Sequence, residues 1–455
     1  MSHRNQRIVA AVVLVVLAAA LIVFVRWNQQ EEERLKAETT YVPKPEKITP
    51  EILLLREYLR IDTTAGKELA GARWLVAQFA KRGIRPELIE SGPGRGNVYV
   101  RIRGRQPGEG LMLLHHIDVA PVDPAEWKHP PFAGDIQYNM LYARGALDMK
   151  SIGICHLLAF VEIAKSGRPP EHDLIFLATS DEEQGSVLGI QWLLANRPDL
   201  FEGVRYVLNE GGITEMQAEQ VAYFGIEIGT KQRLELRLHG SEEQLLAARR
   251  ALEPIFGAHQ PERVLPEIRT FMRDIAPTRI QFGRMLADID QTIANGEFWE
   301  LPKGYREHTQ NNLWAEAPQG GTMTVRAALL RDEDPDRQVR RVEQTVAGTG
   351  VRLEVVAKDG QLPFSPADTP LFRIIASEAE REYRTRAGTM VLHGATNDSR
   401  FLRRQGLICY GVWPYPVDVF QSEAIHRNDE RIRLDWFMQG IGVTKRIVTR
   451  YAFRE

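Results

Sequence analysis

Residues 111–121 read LMLLHHIDVAP, an apolar run that ends in two histidines and an aspartate. Such a run suits a strand buried on both faces of a sheet, with chemistry at its carboxyl end. His116 and Asp118 would share a face, because side chains on a strand alternate with period two. An imidazole that binds a metal commonly donates its other ring N–H to a carboxylate, so Asp118 is a candidate partner for His116. Taken alone, a satisfied core histidine is the simpler reading.

Working outward, Asn97–Ile102, Leu174–Thr179 and Val204–Leu208 also read as strands, and Ser151–Lys165 as a buried helix. A helix is expected after Thr49-Pro50, with Leu53, Leu54, Leu55 and Tyr58 as its apolar side. The alternation predicts an α/β fold, a central mixed sheet flanked by helices. From Gly229 the pattern changes. Strands are expected over Arg233–His239, Leu313–Ala317, Thr322–Leu330 and Val351–Val356, with helices over Glu242–Ile255 and Pro335–Val346. Two helices on a small sheet outline an α+β (ferredoxin-like) module. After Pro363 the first pattern returns, with helix Pro370–Tyr383 and strand Leu407–Tyr410. The expected plan is therefore a larger domain, 47–228 and 359–455, interrupted by a smaller one, 229–358.

The 455 residues carry 58 basic and 60 acidic side chains, which gives no nucleic-acid footprint. Two cysteines, Cys155 and Cys409, sit in apolar runs and read as buried core residues. Ile8–Val25 contains no charged or polar residue and would span about 27 Å as a helix, enough for a bilayer core. Arg26-Trp27-Asn28 and the acidic run after it offer no small-x-small cleavage site. The expectation is a retained N-terminal transmembrane anchor (1–27) and a polar linker (28–46). The membrane would then be a partner, and the remainder periplasmic or extracellular.

Other acids stand at similar places. Asp148 precedes the apolar helix in LYARGALDMKS (141–151), where an N-terminal carboxylate is common without function. Asp181, Glu182 and Glu183 follow a buried strand; adjacent acids there repel unless cations sit among them, although a solvated helix start is an alternative. Glu210 follows Val204–Leu208, and His426 lies in SEAIHRNDE (422–430).

Together these segments resemble the acetylornithine deacetylase, succinyl-diaminopimelate desuccinylase, aminoacylase and carboxypeptidase-G family of zinc metallopeptidases. H-x-D-V-x-P is His116–Pro121, W-x-x-x-P-F is Trp127–Phe132, and G-R-G-x-x-D-x-K is 143–150 with Ala143 replacing the first glycine. E-E-x-G-S is Glu182–Ser186, D/N-E-G is Asn209–Gly211, T-D-x-R is Asn397–Arg400, and H-x-x-x-E-R is His426–Arg431. The resemblance implies a zinc-exopeptidase-like catalytic domain with a lid. His116 and Glu210 would bind one Zn2+, Glu183 and His426 a second, and Asp148 would bridge them; Co2+ or Mn2+ are possible substitutes. Glu182 would act as general base, with Asp118 supporting His116. Arg400 and Arg331 would bind the carboxylate of a small peptide or N-acyl amino acid, and a homodimer through the lid is implied. A chain that keeps the fold as a metal-binding or scaffold protein is the alternative.

The lid departs from the family. The G-H-x-S-x-P segment that supplies a catalytic histidine is missing after Leu236-Arg237-Leu238-His239-Gly240. Either His239, or His308 with Asn311 and Asn312, substitutes in a rearranged lid, or the enzyme works without a lid histidine, or catalysis is lost and the fold kept. The long insertion Pro261–Tyr305 resembles the enlarged lids of the carboxypeptidase-S-like N-acyl amino acid hydrolase branch.

Overall fold

The run ending in His116 is a strand, Gly110–His116, buried at every position. The computed structural model describes residues 47–217, 219–256, 264–392 and 396–454. The anchor expected over Ile8–Val25 and the linker after it lie outside these residues. Among the described residues no helix is long and apolar enough to cross a membrane. That finding overturns the expectation of a single-pass membrane protein with a periplasmic or extracellular catalytic domain, and the membrane is withdrawn as a partner.

The chain first forms β1 (Glu87–Gly92), β2 (Arg95–Ile102), β3 (Gly110–His116), β4 (Asp135–Gln137) and β5 (Met140–Tyr142). These are followed by β6 (Leu174–Thr179), β7 (Val204–Asn209), β8 (Ile213–Gln217) and β9 (Gln220–Thr230). A second, small sheet is made of β10 (Gln232–His239), β11 (Asn312–Ala315), β12 (Thr322–Leu329) and β13 (Arg352–Lys358). Last come β14 (Ala387–Leu392), β15 (Ile408–Gly411) and β16 (Arg431–Arg433). The large sheet runs β1-β2-β6-β3-β7-β15-β9-β14, with β8 beside β9. Its central pairs β6/β3, β3/β7 and β7/β15 are parallel, whereas β1/β2 and β2/β6 are antiparallel. A sheet buried on both faces needs continuous apolar strands, and Leu174–Thr179, like β3, is buried throughout.

Helix Pro50–Leu59 starts where expected: the Thr49 side chain accepts from the Ile52 amide at 3.3 Å and Pro50 fills the first turn. The small sheet runs β11-β12-β10-β13, and every pair is antiparallel. Alternation in β12 buries Met323, Val325, Ala327 and Leu329 on one face, against helices Glu242–Leu252 and Pro335–Val346. The other face carries Arg233, Glu235, Trp314 and Arg326.

The long insertion does not enlarge the core on the small sheet. Its helices Pro266–Ile275, Gly283–Ala287 and Ile289–Ala294 bury Ile268, Phe271, Met272, Leu286 and Ile289 in the core of the large sheet. Helix Pro266–Ile275 lies against β14. At Gly388 a Cβ would meet the Tyr223 hydroxyl at 2.6 Å and Asp274 Oδ2 at 2.9 Å, so glycine permits the approach.

Candidate metal centre

Three neighbouring strands deliver the polar groups at their carboxyl ends. His116 is the last residue of β3, Glu182 and Glu183 open the turn after β6, and Glu210 follows β7. Asp148 comes from the turn before helix Lys150–Lys165, and His426 from the loop before β16. Asp181 (φ 70°), Ser186 (φ 66°) and His426 (φ 60°) occupy the left-handed region, which costs about 1–3 kcal/mol each for non-glycine residues. The acidic turn is held in that shape. Asp181 accepts the Leu188 amide at 2.8 Å and pairs with Arg95 at 3.1 Å.

The Asp148 carboxylate faces both histidines, one per oxygen. Oδ1 lies 3.0 Å from His116 Nε2 and Oδ2 lies 2.9 Å from His426 Nε2. Glu210 Oε1 is 3.6 Å from His116 Nε2, and Glu183 Oε2 is 3.2 Å from His426 Nε2. The result is two triads of metal-binding type, His116–Asp148–Glu210 and Asp148–Glu183–His426, whose ligand atoms lie within 4.8 Å of one another. Glu183 Oε1 is buried and meets no hydrogen-bond partner among the described residues, as suits an oxygen aimed at a cation. Imidazole and carboxylate donors in this number fit zinc or a similar divalent ion.

Proton affinities follow the same logic. Burial pushes Glu182 well above the ordinary carboxyl range, and the charges of Asp398 and Glu183 add to it. Glu210 is raised by burial and by Asp148. Burial also acts to raise Asp148, but hydrogen bonds from His116 and His426 overcome it and hold the carboxyl far below its usual value. Hydrogen bonds to Asp148 and Glu183 push His426 up to about 11.

His116 Nδ1 lies 2.9 Å from the Asp118 carbonyl oxygen, closer than the 3.6 Å to the Asp118 carboxylate. Donation from Nδ1 to that carbonyl leaves Nε2 free toward Asp148. The Asp118 carboxylate instead accepts the Glu183 amide at 2.9 Å, tying the β3 end to the acidic turn. Arg400 is 4 % exposed, lies over the Phe401 ring at 4.4 Å, and its Nε has no hydrogen-bond partner among the described residues. Its charge is felt at Glu182. Arg331 is elsewhere, paired with Glu267 at 2.8 Å and stacked over Phe364. His239 pairs with Glu354 at 2.6 Å on the small sheet, and His308 packs against Phe271. Asn311 bonds Glu333 and Asn312 bonds the Glu307 carbonyl, so both hold local structure.

Two motif residues were given no role from sequence. Glu430 is fully buried; Oε2 binds Arg144 at 2.7 Å, and Oε1 accepts the Leu147 amide at 2.7 Å and the Asp148 amide at 3.3 Å. Arg144 in turn donates to the Arg427 carbonyl at 3.1 Å. The pair joins the Asp148 turn to the His426 loop. Its signal lay in the R of the 143–150 motif and the E of the 426–431 motif.

Residues 112–450 match the model of peptidase family M20/M25/M40. The chain belongs to that family. Like other members it is a hydrolase acting on peptide or N-acyl amide bonds. Aminoacylase-1A of Rattus norvegicus is 26% identical over 424 residues, covering 90% of this chain and 97% of that protein. Succinyl-diaminopimelate desuccinylase of Methylobacterium radiotolerans is 28% identical over 333 residues, covering 70% of this chain and 76% of that one. The M20 metallo-carboxypeptidase Sso-CP2 of Sulfolobus solfataricus has the same fold, with a TM-score of 0.68 at 18% identity over 89% of this chain and 100% of that one. Human carnosine dipeptidase 1 follows at 0.65 and 12%, covering 88% and 96%. For this M20 chain the expected α/β architecture with a mixed central sheet therefore holds.

Proposed function

We propose that this M20 hydrolase is a two-zinc exopeptidase or aminoacylase, with His116 and Glu210 holding one Zn2+, Glu183 and His426 the other, and Asp148 between them. The observation that carries the reading is the Asp148 carboxylate, which offers one oxygen to each histidine at 3.0 and 2.9 Å. When bound, the metals would supply a water acidified to a pKa of about 7 and polarise the scissile carbonyl. Glu182, next to Glu183 in the turn, would take a proton from the attacking water and return it to the leaving amine; burial in an acidic turn raises its affinity for that proton. The Asp118 carbonyl fixes the ring of His116, and Glu430 fixes the turn that presents Asp148. Arg400, buried without an ion-pair partner among the described residues, takes the free carboxylate of a peptide or N-acyl amino acid beside the scissile bond.

Because the acids and both imidazoles of this cluster are present, a scaffold role without turnover is not favoured. A homodimer through the small domain belongs to the same reading; the terminal strand β13 exposes Val355 at 45 % and Val356 at 39 %, and sedimentation of the full chain tests it. The function is tested by metal content and by hydrolysis of dipeptides and N-acyl amino acids. Two zinc ions per chain and a loss of kcat of about 100-fold or more in Glu182→Gln are expected. Full activity in that variant would remove Glu182 from the reaction, and two metals retained by His116→Ala would overturn the ligand set.

A further inference from the structure

Asp398 stands immediately before helix Ser399–Arg404, where an aspartate ordinarily accepts an amide of the first turn. Its side chain makes no such bond; Asn397 accepts the Ser399 amide instead, at 3.1 Å. The Asp398 carboxyl group is 2 % exposed, so its oxygens need partners inside the fold. Both find them on one distant segment. Oδ2 accepts the Thr179 hydroxyl at 3.1 Å, and Oδ1 accepts the Ser186 hydroxyl.

Those hydroxyls bracket the acidic turn. Thr179 ends β6, and Ser186 follows the segment Glu182–Gln184 and Gly185. Asp181 (φ 70°), Gly185 (φ 102°) and Ser186 (φ 66°) give the turn a left-handed path that the surroundings must hold. Glu182 rides on it without an anchor of its own: its carboxylate meets no hydrogen-bond partner among the described residues. The place of that carboxylate therefore follows the backbone of the turn. The segment that clamps the turn is itself fixed to the end of β7. Asn397 Nδ2 donates to the Glu210 carbonyl at 3.0 Å, and Asn209 Nδ2 donates to the Ser399 hydroxyl at 3.1 Å. β6 and β7 flank β3 in the large sheet, so residues 397–399 set the Glu182 turn against Glu210 across the strand that carries His116.

We infer that Asp398 is a positioning residue for the hydrolysis, clamping Thr179 and Ser186 so that the turn holds Glu182 within reach of the attacking water. The inference rests on the proposed function for the role of Glu182. A displacement of about 1 Å at such a group can cost about 100-fold in rate, so two hydrogen bonds at the ends of the turn suffice to govern turnover. Asparagine in place of Asp398 keeps an acceptor and gains a donor, and a hydroxyl can serve as either, so both bonds survive that exchange. Alanine loses both.

The experiment uses the full chain loaded with zinc, a panel of N-acetyl amino acids and dipeptides, and hydrogen exchange of the amides of residues 180–188. In Asp398→Ala kcat should fall about tenfold or more, with KM changed less than about threefold and the bound zinc retained. Exchange should quicken at least tenfold over residues 180–188 and keep the parent's rates in β2 and in helix Lys150–Lys165. Asp398→Asn should return kcat to within about threefold of the parent. Ser186→Ala should lower kcat in the parent chain but not further in Asp398→Ala, because the two side chains act as one unit. Where Asp398→Ala does not fold, Ser186→Ala alone should show the lower kcat and the same local exchange. Parent-like kcat in Asp398→Ala, a rise in KM alone, or exchange quickened alike throughout the sheet overturns the inference. Full activity in Asp398→Ala beside an inactive Glu182→Gln would refute the clamp and leave the function standing. Local quickening in a chain that hydrolyses no panel member would refute the function and leave the clamp.

Discussion

Glu430 acts entirely through other residues. Its two oxygens hold Arg144 and the amides of Gly145, Leu147 and Asp148, so the acid fixes the turn from which the Asp148 carboxylate projects. Glu430→Gln leaves Arg144 buried without its counter-charge, which should cost about 3–5 kcal/mol. Apparent metal affinity should fall about 10–100-fold, as for other groups that orient a ligand. Urea unfolding and a zinc titration would read the two effects. His156 offers a pH test away from the cluster. Burial lowers its pKa from 6.5 to about 3, so between those values the unfolded chain binds a proton that the folded chain refuses. Its contribution to stability is therefore complete above pH 6.5 and is lost as pH falls toward 3. At pH 5 the loss is about 2 kcal/mol, and His156→Leu should remove that part of the slope between urea midpoints at pH 7 and pH 5. At this scale His116 and Asp148 were legible as candidates only through the set of motifs they belong to, since each alone also reads as a core histidine or a helix-start carboxylate. Arg144 and Glu430 were not, because a buried ion pair is understood only when its partner, 286 positions away, is in view.

Among the elements, strands with unbroken apolar runs were readable, and Leu174–Thr179 falls on its expected limits. β9 was missed for a physical reason. It buries Glu227 in its middle, which sequence alone marks as a surface position, and the charge is met by Arg403 at 2.7 Å. Gly229, another strand breaker on paper, makes room for the ring of Phe364. The terminal helix Leu434–Phe453 was also unread. The small domain's first helix is set by local signals. Ser241 accepts the Gln244 amide at 3.3 Å while Gln244 accepts the Ser241 amide at 2.8 Å, forming a capping box. Ser241→Ala should destabilise by about 0.5–2 kcal/mol in chemical unfolding.

Over the whole molecule, four acids and two histidines crowd one end of the large sheet. Cations there stabilise the folded chain by mass action, about 2.7 kcal/mol at a free concentration of 100 times Kd. Chelation should lower the thermal midpoint, and readdition of zinc should restore it; an unchanged midpoint in a chain that had carried two metals would count against the site. The insertion is the part whose placement sequence misjudged, because hydrophobic periodicity says which face of a helix is buried but not against what. Its first helix rests on β14, the last strand of the large sheet, which reads AGTMVL without a single charge. An uncharged terminal strand is a template on which another chain can build cross-molecular β-structure. The insertion thus bears on colloidal behaviour as well as shape: where its grip on Gly388 loosens, self-association through that strand becomes the route to aggregates.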